Sequence, residues 1–274
     1  MRFIGHTMGT PDLAPTESAT LFARLGFDGM ELICRQGTGF APEVTEAEAG
    51  ALAANARRLG APVLTLTPYA WDFNSADAVK AAADAALLCR SVDLAALMGA
   101  RYVRAYGGRP GPEGEPATAA FERAVQGLAT HGRYAAQRQV TLLVENHPGT
   151  LTRTGRATRD LVERVGLASV RALYDPANVL HDTDEPWEET LALQTGLIEY
   201  VHVKDYFMDG KTRRACCVGD GLVPWQAILE RLVAAGYDGP LSFEYEKKWY
   251  PADLPDAADG MKRSLEHVKR VPGT

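Results

Sequence analysis

A chain of 274 residues, 46% of them hydrophobic and 23% charged, carries enough apolar material for a full globular core. Its net charge of −6, with Lys and Arg occurring singly or in pairs such as Arg213–Arg214 and Lys247–Lys248, withholds the basic footprint of a nucleic-acid binder. No stretch approaches the roughly 20 apolar residues that cross a bilayer, and MRFIGHTMGT reaches a turn too early to read as a secretory leader, so the expected compartment is the cytoplasm.

Short apolar or β-branched runs alternate with stretches of helical periodicity along the whole chain. Strands are expected over Arg2–Met8, Gly29–Cys34, Pro62–Thr67, Arg101–Tyr106, Val140–Glu145, Val170–Tyr174, Tyr200–Val203 and Pro240–Glu244. Between them, apolar residues spaced i, i+3, i+4, i+7 predict helices over Thr16–Leu25, Thr45–Leu59, Ala76–Met98, Ala117–Gln137, Trp225–Ala235 and Pro255–Val268. Weaker helical patterns cover Arg156–Val165 and Pro186–Gln194. Pro15-Thr16-Glu17, Thr45 with Glu48, and Ser75 before Ala76 read as helix starts. Gly26, Gly60, Gly99, Gly166 and Gly236 fall where a residue of positive φ ends a helix at little cost.

Strand, helix, glycine, strand recurs about eight times, as a parallel sheet with crossover helices requires. The length permits two domains of roughly 100–200 residues, but eight units in one chain, with no GxGxxG after the first strand, favour closure over a doubly wound sheet. The expected fold is a single (β/α)₈ barrel over residues 1–274. Its irregular segments, Tyr69–Ser75, Gly107–Pro116, His147–Gly155 and Tyr206–Pro224, follow strand C-termini, the end at which such barrels build their sites. Cys34, Cys89, Cys216 and Cys217 form no CxxC pair and read as reduced packing residues.

The ionisable residues gather at the ends of the last four strands. TLLVENHP ends in Glu145, Asn146 and His147; YDPAN brings Asp175 and Asn178; VHVKDY carries His202, Lys204 and Asp205; SFEYE carries Glu244 and Glu246. Residues two apart on a strand share a face, so His202 and Lys204 point together, opposite Val201, Val203 and Asp205. A lone Glu or His at a strand end is usually a buried ion pair. Four of them on consecutive strand ends of one barrel mouth form a set that suits one divalent ion such as Mn²⁺, Mg²⁺, Co²⁺ or Zn²⁺: Glu145, Asp175, His202 and Glu244. Substrate contacts are expected from His147, Asn178, Lys204 and Arg213, and Tyr69, Trp71 and Phe73 could wall the mouth. Asp205 is expected to orient its neighbours, and His6 to be a core histidine.

VENHPGTLT, YDPANV, VHVKDY, VGDG and SFEYE resemble the xylose-isomerase-like barrels, the sugar isomerase and epimerase group with inosose-processing and ketose 3-epimerase relatives. The resemblance implies one metal on the four residues named, with Glu145 and Glu244 also serving as acid and base. The reaction implied is isomerisation or epimerisation of a sugar, keto-sugar or inosose through an enediolate. A lyase on the same scaffold, a dehydratase of an inosose or dehydroshikimate-like acid or a 3-keto-glycoside eliminase, shares the first proton abstraction and is the alternative. The partner implied is a small carbohydrate, with a second copy of the chain as a homo-oligomer; no nucleic acid or membrane is expected. Asn178 stands where many relatives carry a histidine. Thr67-Pro68-Tyr69 and Ala105-Tyr106-Gly107 lack the histidines of the trinuclear zinc endonucleases on this barrel, which disfavours a nuclease.

Overall fold

The computed structural model describes residues 1–274. Eight parallel strands close into a barrel: β1 (Arg2–His6), β2 (Gly29–Cys34), β3 (Val63–Pro68), β4 (Tyr102–Tyr106), β5 (Thr141–Glu145), β6 (Val170–Tyr174), β7 (Ile198–Val203) and β10 (Pro240–Phe243). Each pairs with the next in sequence, and β1 pairs with both β2 and β10, which closes the ring and leaves no sheet edge exposed.

The crossover helices are α1 (Pro15–Leu25), α2 (Glu46–Leu59), α3 (Ala78–Met98), α4 (Ala117–Ala136), α5 (Gly155–Val165), α7 (Trp187–Gln194), α8 (Trp225–Ala234) and α9 (Ala257–Val268). Thr45 and Glu48 form the expected capping box on α2, and Gly26, Gly60, Gly99 and Gly166 end their helices at φ between 65° and 90°. One predicted start is displaced. Ser75 does not cap α3; Asp77 does, accepting the N–H groups of Val79 and Lys80 at 2.9 and 3.3 Å, while Ser75 accepts from Asp77 itself. A carboxylate takes two of the orphan N–H groups where the serine would take one.

Two elements fall where no regular structure was expected. Pro176–Asp182 forms a short helix, α6, started by Asp175, whose carboxylate accepts the Asn178 N–H at 3.0 Å. The segment after β7 folds into an antiparallel hairpin, β8 (Asp205–Asp209) with β9 (Thr212–Cys216). Asp205 faces away from the barrel axis and accepts the N–H groups of Tyr206, Gly219, Gly221 and Val223 at 2.9–3.3 Å. It therefore ties the VGDG turn to the foot of the hairpin and reaches no metal-ligand candidate. Gly221 has no alternative there, since a Cβ would lie 2.1 Å from the Asp205 carboxylate.

Most of the apolar residues lie between strands and helices, while a small cluster of Tyr102, Leu143, Leu173 and Tyr200 fills the barrel interior. That cluster is a floor, and the polar residues stand above it, toward the strand C-termini. No helix is long and apolar enough to cross a membrane, and all four cysteines are free.

Candidate metal centre

Four ionisable side chains converge above the floor. Glu145 is the last residue of β5, Asp175 follows β6, His202 stands on β7 and Glu244 follows β10. Strand parity explains the stacking: Leu143 lies beneath Glu145, Leu173 beneath Asp175, Tyr200 beneath His202 and Ser242 beneath Glu244. Asn146 locks two of these ends together, donating from its amide to the Asp175 carbonyl at 2.6 Å and accepting the Asp175 N–H at 2.9 Å.

His202 Nδ1 lies 3.4 Å from Glu145 Oε1, 3.6 Å from Glu244 Oε2 and 3.9 Å from Asp175 Oδ2, and it has no hydrogen-bond partner. One ligand atom from each of the four lies within 4.8 Å of the others. An ion bonded at about 2.0–2.2 Å holds its ligands roughly 3–3.5 Å apart, so the four need only small adjustments to surround one. The other ring nitrogen, Nε2, sits 3.2 and 3.3 Å from the two oxygens of Glu31. With Nε2 as donor, Nδ1 presents its lone pair to the three carboxylates.

Charge counting points the same way. Glu31, Glu145, Asp175, Glu244 and Glu246 form one contact network with three permanent cations, Arg104, Lys204 and Arg213. Two negative charges remain, the complement of one divalent ion or of two protons. Without an ion, His202 and Asp175 are the groups that take protons. Burial lowers the proton affinity of His202, but Glu244 and Glu31 outweigh it and hold the imidazolium well above its ordinary range. Burial pushes Asp175 up to about 6, with Glu244 and Glu145 adding to it against the pull of Lys204. Glu145 and Glu244 go the other way. Burial would raise both, yet His147, His202 and Arg104 hold Glu145 well below the usual carboxylate range, and Lys204 and His202 lower Glu244. The residues present fit a divalent cation.

The residues expected to meet a substrate are mostly engaged with the site itself. Lys204 Nζ lies 2.6 Å from Glu244 Oε2 and 2.8 Å from Asp175 Oδ2, inside the carboxylate cluster. Asn178 is turned inward, its amide 3.3 Å from Glu145 Oε1 and 3.2 Å from the Asn146 carbonyl. Arg213, carried by β9, pairs with Glu246 at 2.8 Å and donates to the Tyr250 hydroxyl at 3.2 Å. Its neighbour Arg214 pairs with Asp253 on the outside of the hairpin. His147 donates Nδ1–H to the Pro148 carbonyl at 2.7 Å, which leaves Nε2 as an acceptor. Its ring lies edge-on to Tyr106 and Trp71, with centroids 5.1 and 5.0 Å away.

Of the expected aromatic wall, Tyr69 and Trp71 stand at the mouth, but Phe73 turns away to pack on His131 and Gly127 of α4. Trp71 stacks on Tyr106 at 3.6 Å, Arg109 covers the outer face of the tryptophan, and Arg104 covers the tyrosine at 3.8 Å. This stack ends on Glu145, where Arg104 Nη1 is 3.3 Å from Oε2. Glu145, Asp175, His202 and Glu244 are at most 6% exposed.

Arg104 and Glu31 were not among the residues read from the sequence. A signal was present for both: each is a charge inside an otherwise apolar or aromatic strand, YVRAY and GMELIC. Glu31 is wholly buried and takes hydroxyl hydrogen bonds from Thr67, Tyr200 and Ser242 at 2.5, 2.9 and 2.6 Å. His6 is the core histidine expected, its Nε2 3.4 Å from Glu31 Oε1 and its Nδ1 accepting the Met8 N–H. His6, Glu31 and His202 are close enough to hold an ion, but the Glu31 oxygens are already saturated by proton donors. That triad is a hydrogen-bond hub.

The family model described as xylose isomerase-like TIM barrel matches residues 19–271. The chain belongs to this family. Solved sugar epimerases superpose over nearly all of this xylose isomerase-like chain, among them L-ribulose 3-epimerase, with a TM-score of 0.81, 21% identity, and coverage of 98% of this chain and 93% of that one. A xylose isomerase-like TIM barrel protein from Mycobacterium smegmatis, solved in complex with magnesium, matches with a TM-score of 0.77 and 16% identity over 98% and 96% of the two chains. Among curated proteins, an inosose dehydratase of Geobacillus thermodenitrificans (strain NG80-2) is 26% identical over 138 residues. That match covers 45% of this chain and 46%, about half, of the dehydratase.

Proposed function

We propose that this chain is a divalent-metal-dependent isomerase or epimerase of a sugar, keto-sugar or inosose, in which Glu145 and Glu244 exchange the proton. The observation that carries the reading is the paired carboxylates. Glu145 and Glu244 come from β5 and β10, on either side of β6 and β7, and meet at the same histidine nitrogen 3.4 and 3.6 Å away. Family membership and the epimerases among the structural neighbours support it.

A divalent ion held by Glu145, Asp175, His202 and Glu244 would polarise a carbonyl and its neighbouring hydroxyl as a Lewis acid. The remaining work belongs to the chain. Both glutamates are ionised at neutral pH, the form that accepts a proton from the carbon beside the carbonyl. Arg104 holds Glu145 and Lys204 holds Glu244, so each carboxylate has its own cation and a defined orientation. Proton removal by one glutamate, and return from the opposite side by the other once it has taken up a proton from solvent, inverts a stereocentre, the first then releasing its proton to solvent. The burial of all four residues keeps bulk water from reaching the reacting carbon directly, so exchange with solvent passes through the glutamates.

A lyase is the second reading, favoured by the inosose dehydratase similarity over about half of that protein. Both start with the same proton abstraction and differ in whether the proton returns or a β-substituent leaves. A ¹H NMR time course in D₂O with Mg²⁺, run on ketoses, inososes and keto-glycosides, separates them. Deuterium at the inverted carbon of an intact sugar supports the epimerase, and new vinylic protons identify a lyase. In the same assay Glu145→Gln and Glu244→Gln should each lower turnover by roughly 10²–10⁴-fold, one of them still washing out the α-proton. Near-normal turnover in both would remove the glutamates from the chemistry.

A further inference from the structure

We propose that Glu31 is the positioning residue of the centre: it holds the Nε2 proton of His202 and so commits Nδ1 to the ion. No ligand of the proposed metal comes from β1, β2, β3 or β4, yet Glu31 on β2 makes the most highly connected polar contact inside the barrel. Its carboxylate is wholly buried and meets Thr67 of β3, Tyr200 and His202 of β7, Ser242 of β10 and His6 of β1. These contacts span 25 to 211 positions in sequence, the shortest being that to His6. A buried carboxylate is costly to retain, and an apolar residue of similar volume would serve the barrel floor as well or better.

The geometry says what the carboxylate is for. An imidazole free to rotate or to change tautomer can present Nδ1–H to the three carboxylates, which satisfies them and blocks an ion. Glu31 holds a proton on Nε2, so the proton that an ion displaces is the one on Nδ1, and the neutral ring keeps its single proton on the far side. Both of its oxygens lie within 3.3 Å of Nε2, so the ring proton is drawn to the floor side and the opposite lone pair faces the cluster. The hydroxyls of Thr67, Tyr200 and Ser242 hold the carboxylate in place, and the His6 Nε2–H, fixed by acceptance of the Met8 N–H at Nδ1, approaches from the remaining side. Outer partners of metal-bound histidines commonly set ligand affinity by about 10–100-fold.

The inference rests on the metal reading of the centre, and the test keeps the two apart. Mn²⁺ affinity is measured by calorimetry on the full-length protein and on Glu31→Gln, with His202→Ala alongside, and folding is followed by circular dichroism. Glu31→Gln should bind Mn²⁺ about 10–100-fold more weakly. In the Mg²⁺-loaded protein, the His202 Nε2–H resonance, found in ¹⁵N-edited spectra and assigned by its loss in His202→Ala, should move upfield as its acceptor loses charge. Unchanged Mn²⁺ affinity in Glu31→Gln, with binding lost in His202→Ala, overturns the proposal and leaves the metal site standing. Full binding in His202→Ala overturns the site itself. Should Glu31→Gln not fold, Ser242→Ala removes one anchoring hydroxyl: a several-fold loss of affinity supports the assignment, and none overturns it.

Discussion

The barrel divides into two halves that carry out different work. Strands β5, β6, β7 and β10 supply every residue of the candidate ligand set, whereas β1 to β4 supply none. Strands β1 to β4 and the loop after β3 supply the restraints: Glu31 and His6 on the far side of His202, Thr67 donating to Glu31, and Arg104 backed by Tyr106 and Trp71 against Glu145. The difference teaches that a site of four carboxylate and imidazole groups needs as many partners again to fix their orientation. In a closed barrel those partners come from the neighbouring strand, as Arg104 of β4 does for Glu145 of β5, or from farther round the ring, as Glu31 of β2 does for His202 of β7.

The largest effect should follow from removing ligands in the first half. His202→Ala and Asp175→Ala should lose the ion, which elemental analysis of the dialysed protein would register as a fall from about one divalent ion per chain to a trace. Circular dichroism should stay that of a folded barrel. Full occupancy in both variants would erase the distinction between the halves.

Substitution in the supporting half should act less on the ion and more on the metal-free fold. Arg104→Met leaves Glu145 buried without its cation. Breaking such a pair costs about 3–5 kcal/mol, to be read from chemical denaturation of the metal-free protein. Added Mn²⁺ should recover more stability in the variant than in the wild type, because the ion supplies the missing charge. A loss below about 1 kcal/mol, the range of an exposed pair, would mean that the arginine stack is a bystander.

The smallest and most graded effect is with pH, and it sharpens where the two compensating protons sit. His202 is held well above its ordinary range and Asp175 at about 6, so an ion must displace protons to bind. Affinity should therefore fall as pH falls. Between pH 6 and the raised His202 value about one proton should be released per ion, approaching two below pH 6, where Asp175 is protonated as well. Calorimetry in two buffers of different ionisation enthalpy counts them. Affinity that is flat from pH 8 to 5 would contradict the charge balance drawn from the eight charged side chains of the network.

Local chemistry explains what was legible. Amphipathic periodicity and helix-ending glycines marked all eight barrel strands and the crossover helices to within a few residues, since those signals depend on near neighbours in the chain. The carboxylates and the histidine at the ends of β5, β6, β7 and β10 were visible for a related reason. Each breaks an apolar run at its C-terminus, where the barrel topology brings all such ends to one mouth. The hairpin β8–β9 was not visible, because β8 is held by a carboxylate, Asp205, that gathers N–H groups up to 18 positions away.

The sequence by itself thus determined the fold and the ligand candidates, both of which are written in short-range patterns. The tertiary structure alone decided what those candidates touch: that Lys204 lies among the carboxylates, that Asn178 turns to Glu145, and that Glu31 rather than any ligand-bearing strand holds the far side of His202. The physical reason is distance along the chain. Glu31 and Ser242 are 211 positions apart, and only the pairing of β1 with β10 closes the barrel and brings them within 2.6 Å.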